Sequence, residues 1–98
     1  MNTDRWVLYS SAACTDCPPA IEKLDDANVR YAKIDIMETL GGLKRFLALR
    51  DAHSEFDTVR ETGSIGIPVL VKNDGEAFIF DIVNMEMDEM PVRDRRRS

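Results

Sequence analysis

Two adjacent prolines, Pro18 and Pro19, constrain the N-terminal third of this chain more than any other feature. Proline has no backbone N–H and sits in a helix only in its first turn, where that donor would have no partner anyway. The residues after it place Ala20, Ile21, Leu24 and Ala27 on one side with charges opposite, the pattern of an amphipathic helix. A helix is therefore expected to begin close to Thr15, with Cys14 at its N-terminal tip. Before it, Arg5 to Ser10 ("RWVLYS") reads as a buried strand that includes Trp6. After it, Val29 to Ile36 ("VRYAKIDI") alternates as a second strand. Strand, helix and strand make a right-handed unit with parallel strands.

The middle of the chain, Gly42 to Gly63, repeats apolar residues at helical spacing through Leu43, Phe46, Leu47, Phe56 and Val59. Ser54 and Asp57 have the spacing of an N-terminal cap, which predicts two helices broken near His53, and Gly63 is a natural helix stop. Next, two apolar runs flank Asn73-Asp74-Gly75-Glu76, and Asp-Gly supplies the positive φ angles of a tight antiparallel hairpin. Residues 82–90 ("IVNMEMDEM") are expected as a last, short, acidic helix or coil. The predicted order is β-α-β-α-β-β-α, an α/β fold with a four-stranded mixed sheet and flanking helices.

At 98 residues, 44% hydrophobic and 32% charged, the chain suits one folded domain, expected over residues 1–92. Residues 93–98 ("RDRRRS") are expected to be a basic, disordered tail. A formal net charge of −5 disfavours nucleic acid as a partner. No apolar run is long enough to cross a bilayer and the N-terminus has no signal-peptide pattern, so no membrane partner and a cytoplasmic location are expected.

Cys14 and Cys17 are the only cysteines. In a reducing compartment such a pair points to catalysis, redox sensing or metal binding rather than to a structural staple. A thiol at a helix N-terminus is favoured as thiolate, the nucleophilic form, so Cys14 is the expected attacking thiol and Cys17, one turn on, the resolving one. Asp16 works against the thiolate, and no cation neighbours the pair in sequence, so the expected activation of Cys14 is mild. Structural zinc wants four ligands, and the chain offers two cysteines and the distant His53, so no metal site is expected. An Fe–S cluster bridging two chains, with thiols supplied from outside, is an alternative.

Pro68 stands at the start of the third strand, a place where a missing donor is harmless. The Ile67–Pro68 bond is also a candidate cis peptide, which would turn the Ile67 backbone toward an extended substrate.

Together the early βαβ unit, C-T-D-C at 14–17, G-I-P at 66–68 within Thr62 to Pro68, and the Asp-Gly hairpin resemble the glutaredoxins of the thioredoxin superfamily, over roughly residues 5 to 82. The resemblance implies a thioredoxin-like fold and a dithiol disulfide reductase. Cys14 would be its nucleophile, Cys17 its resolving thiol and Pro68 the cis-proline facing them. Substrate would lie against Ile67, Pro68, Thr15 and Asp16. It implies no bound cofactor, glutathione as a candidate co-substrate with Asp81 near it, and a monomer. The chain departs from that family at Ala12, where a Lys is common, and at Ser64 and Ile65. It departs again where Phe78 and Phe80 stand in place of a glycine pair. These departures leave a thioredoxin-reductase-type reductant beside glutathione, and a protein or low-molecular-weight disulfide as substrate. The alternative to an enzyme is a redox sensor or adaptor that uses the Cys14–Cys17 pair as a switch.

Overall fold

The structure, a computed structural model, describes residues 4–88 and 90–93. Its elements are β1 (Trp6–Ser10), α1 (Cys17–Asp26), β2 (Ala32–Asp35), α2 (Leu40–Ala52), a 3-10 turn (Ser54–Phe56), α3 (Asp57–Thr62), β3 (Val69–Lys72) and β4 (Ala77–Ile79). The strands form one sheet in the order β2-β1-β3-β4. β1 runs parallel to β2, with Val7 opposite Ala32, and antiparallel to β3, with Leu8 opposite Leu70. β3 and β4 are antiparallel, with Val71 opposite Phe78. This is the expected α/β architecture, a mixed four-stranded sheet with flanking helices.

Alternation along the strands sorts the core into two layers. Trp6, Leu8 and Leu70 face α1 and pack with Ala20, Leu24, Val29 and Ile82. Tyr9, Val69 and Val71 face the other side and pack with Ile36, Phe46 and Phe56 from the α2–α3 region. Phe56 is the hub of that second layer, with ring centroids 6.0 Å from Phe46, 5.3 Å from Phe78 and 5.1 Å from Phe80. Each layer seals one face of the sheet, so the ends of the strands are left to carry a site.

Several boundaries differ from expectation for identifiable reasons. α1 starts at Cys17, with Asp16 at the N-cap, close to Thr15 but with Cys14 ahead of the helix in the turn. A helix capped by Thr15 would need the Pro19 nitrogen to donate to the Thr15 carbonyl, and proline cannot donate. β2 starts at Ala32 rather than Val29. Val29 turns into the core and forms an isolated antiparallel bridge with Val92, while the Arg30 amide donates to the Pro91 carbonyl at 2.7 Å. The break near His53 and the stop at Gly63, φ +75°, are as expected. Ser54, however, opens the 3-10 turn and makes no capping bond. Thr39 caps α2 instead, accepting from the Gly42 amide. Leu47 is exposed, and Leu49 packs in its place.

The hairpin forms as expected, with Asn73, Asp74 and Gly75 all at positive φ. The last segment, expected as a short acidic helix or coil, forms no helix among the described residues. Residues 82–88 and 90 form isolated turns, because Ile82, Met85, Met87 and Met90 all lean on the α1 layer at a spacing no single helix face provides. Arg93, the first residue of the expected tail, is held by the Asp25 carboxylate at 2.6 Å and lies over the Tyr31 ring. Residues 94–98 lie outside the described residues. Among the described residues no helix is long and apolar enough to cross a membrane.

Candidate active site

The chain leaves β1 through Ser11 and makes one tight turn before α1. The Cys14 amide donates to the Ser11 carbonyl at 3.1 Å, and the Cys17 amide approaches the Cys14 carbonyl at 3.4 Å. The turn is braced from outside. The Asp35 carboxylate at the end of β2 accepts from the Ala12 amide at 3.1 Å and from the Met37 amide at 2.8 Å. The Ser11 hydroxyl accepts from the Ala13 amide at 3.1 Å. Parallel pairing of β1 with β2 delivers Asp35 opposite Ser10, so the sheet register itself aims this brace.

Both cysteines are free thiols, Cys14 partly exposed and Cys17 buried. It is thus Cys17 that occupies the first helical residue, while Cys14 lies three residues ahead in the turn. Burial, first, and a hydrogen bond with the Cys14 thiol push the Cys17 thiol up to about 11. A main-chain bond from Ser11 works the other way. The negative charges of Cys14 and Asp16 raise it further. Asp16 thus bears on the buried thiol of Cys17.

Beside the pair opens a groove of about 370 Å³ between the start of α1 and the residues that lead into β3 and out of β4. It gathers Asp16, Ile67, Pro68 and Asp81, four of the sequence-predicted residues. Thr15 is exposed and does not line it. The Ile67–Pro68 peptide is cis, and the strand ladder begins only at Val69, paired with Tyr9, so the Ile67 main chain lies outside it. Gly66, at φ +105°, turns the chain into this position.

Three further residues contribute to the site. Arg50 on α2 donates to the Ser64 carbonyl at 2.7 Å and to the Ile65 carbonyl at 3.0 Å, gripping the loop from behind. Phe80 forms groove wall while it packs on Phe56. Val83 follows from the turn after β4. Only Phe80 and Asp81 carry a sequence signal, their position just past the hairpin. Among the described residues no group of three or more His, Cys, Asp or Glu is placed to hold a metal ion.

Fold and site together define an α/β protein with a mixed four-stranded sheet and an exposed–buried thiol pair at a strand-to-helix turn. No family model matches the chain. An uncharacterized protein of Haemophilus influenzae (strain ATCC 51907 / DSM 11121 / KW20 / Rd) is 36% identical over 73 residues, covering 74% of this chain and 85% of that protein. The chain belongs to the same family as that protein. A crystal structure of a buckwheat glutaredoxin–glutathione complex aligns at 19% identity with a TM-score of 0.49, covering 76% of this chain and 59% of that one.

Proposed function

We propose that this protein is a thiol–disulfide oxidoreductase in which Cys14 attacks and Cys17 resolves. The observation that carries this reading is the asymmetry of the pair. One thiol is reachable from solvent, while its hydrogen-bonded neighbour is buried and pushed up to about 11. The Cys14 thiolate attacks one sulfur of a substrate disulfide. The substrate S–S bond breaks, a Cys14–substrate disulfide forms, and the other sulfur leaves as a thiolate that takes a proton from solvent. Cys17 then gives its proton to solvent and attacks the Cys14 Sγ, and the second substrate sulfur leaves and is protonated. The substrate has gained two electrons and two protons, and the protein holds a Cys14–Cys17 disulfide.

The causes of the Cys17 shift suit this order. Two of them, the hydrogen bond and the charge of Cys14, vanish once Cys14 is tied in a mixed disulfide. Cys17 thus ionises more easily at the moment it is needed. Thr15, Asp16, Ile67 and Pro68 are assigned to the substrate side, and Asp81 to the groove wall nearest a small thiol. An external thiol, glutathione or the dithiol of a reductase, returns the protein to its reduced form. The setting is a reducing compartment such as the cytoplasm, and the working unit a monomer.

Reduction of a glutathione mixed disulfide, and of insulin in the presence of thioredoxin reductase, tests the reading. Cys14→Ser should abolish both, and Cys17→Ser should accumulate a substrate adduct visible by mass. A wild-type protein that reduces neither substrate would sink it.

A further inference from the structure

The groove beside the cysteines has a charge pattern that disulfide exchange alone does not require. Its charged lining residues, Asp16 and Asp81, are both carboxylates, and no Lys, Arg or His lines it among the described residues. Asn84 donates to both oxygens of Asp81 at 3.1 Å, which fixes the carboxylate without neutralising it. The cations bonded to the groove's segments are committed to main-chain oxygens. Arg50 holds Ser64 and Ile65, and Lys23 holds the Val83 carbonyl at 2.6 Å. The rest of the wall is largely apolar, with Pro19, Phe80 and Val83 beside Ile67 and Pro68. Ile65, next to two lining residues, is 59% exposed.

We infer that Asp16 and Asp81 make this groove select disulfides carried on positively charged, extended polypeptide segments, an inference that rests on the oxidoreductase reading above. A tripeptide thiol with two carboxylates and one ammonium brings net negative charge to a wall of the same sign. The formal charge of −5 on the whole chain adds to that repulsion. A Lys or Arg side chain fits both halves of the wall. Its aliphatic stem lies along Phe80 and Val83, and its charged head reaches a carboxylate. The Ile67 main chain, outside the ladder, can pair with an extended backbone in the manner of an added strand. Charges this exposed act over about 10 Å at 0.1 M salt, so the preference should be strong in dilute buffer and fade as salt rises.

Prereduced wild-type protein is mixed under single-turnover conditions with two peptides of equal length that carry one intramolecular disulfide. Lys flanks the disulfide in one and Glu in the other, and the neutral hydroxyethyl disulfide is run alongside. The Lys peptide should react roughly tenfold faster than the Glu peptide at low salt, the effect of about one favourable charge contact. That ratio should fall toward unity in Asp16→Asn/Asp81→Asn and at high salt. Equal rates for the two peptides, with the neutral disulfide reduced, would overturn the inference and leave the oxidoreductase reading standing. If no disulfide is reduced, the oxidoreductase reading fails. The groove is then still decided by titrating the protein with serine-substituted versions of both peptides. Amide shifts at Asp16, Ile67 and Asp81 with the Lys peptide alone support selection, and shifts with neither or both overturn it.

Discussion

Cys14 and Cys17 act on each other, Cys14 pushing the Cys17 thiol up, yet one is partly exposed and the other buried. That relationship comes from the prolines. Because Pro18 and Pro19 cannot donate, the first helical residue is Cys17, whose side chain falls on the same buried face as Ala20 and Leu24. Cys14 is left in the turn, braced through its neighbours by Asp35 and Ser11. Accessibility and acidity are thereby divided between two residues of one motif.

Alkylation should report this division. At pH 8 the reduced protein should take one iodoacetamide label, on Cys14, because only roughly a thousandth of a thiol held near 11 is thiolate there. In Cys14→Ala two of the causes that raise Cys17 are gone, so its labelling should begin at lower pH than in wild type. Burial should still keep it above an ordinary thiol. Peptide mapping that found both cysteines labelled at equal rates in the folded protein would contradict this.

Stability should decline at alkaline pH. Cys17 is raised from 9.0 to about 11, and burial and Asp25 raise Tyr31 from 10.0 to about 12. In both cases the unfolded chain releases its proton first, so stability is full below pH 9 and is lost as pH climbs toward 12. The share from Cys17 is on the order of 2 kcal/mol. Thermal melts should be flat from pH 6 to 8 and fall above 9. Cys17→Ala should remove the earlier part of the fall and Tyr31→Phe the later part. A melt unchanged to pH 11 would be the contrary result.

The parts of the fold legible in the sequence are those written in single residue types. Positive φ at Asn73, Asp74 and Gly75 made the hairpin readable, and Gly63 marked the end of α3. The βαβ unit and the Phe46–Phe56–Val59 face follow from periodicity. What stayed hidden depends on contacts distant in the chain. The return of Val92 to Val29 and the reach of Arg50 to the Ser64–Ile65 carbonyls lie outside any motif. At the site, Asp16, Ile67, Pro68 and Asp81 line one groove, while Thr15 stays outside it. The groove's acidity emerges only when Asp16 and Asp81, 65 positions apart, are seen to line it together.

Gly66 should be more sensitive than Gly63 although both are left-handed. At Gly66 a Cβ would lie 3.1 Å from Val59 Cγ1 and 3.2 Å from Phe56 Cε1, whereas at Gly63 nothing lies within 4 Å. Gly63→Ala should lose about 1–2 kcal/mol, the backbone cost alone. Gly66→Ala should lose more, by about 1 kcal/mol or above, because the aromatic layer must shift. Urea titrations of the two variants decide it, and equal losses would count against the crowding at Gly66.

Phe56 should link core stability to the groove. It is fully buried and meets Phe46, Phe78 and Phe80, and Phe80 is also groove wall. Phe56→Ala should cost about 3–5 kcal/mol, enough to leave so small a domain marginal. Phe56→Leu keeps most of the volume and should cost less, but it removes the edge-to-face contact with Phe80. Its amide spectrum should then show changes concentrated at Phe80 to Val83 and Gly66 to Pro68, with α1 little altered. Changes spread evenly over both layers, or confined to α2, would show that Phe80 holds its place in the groove without Phe56.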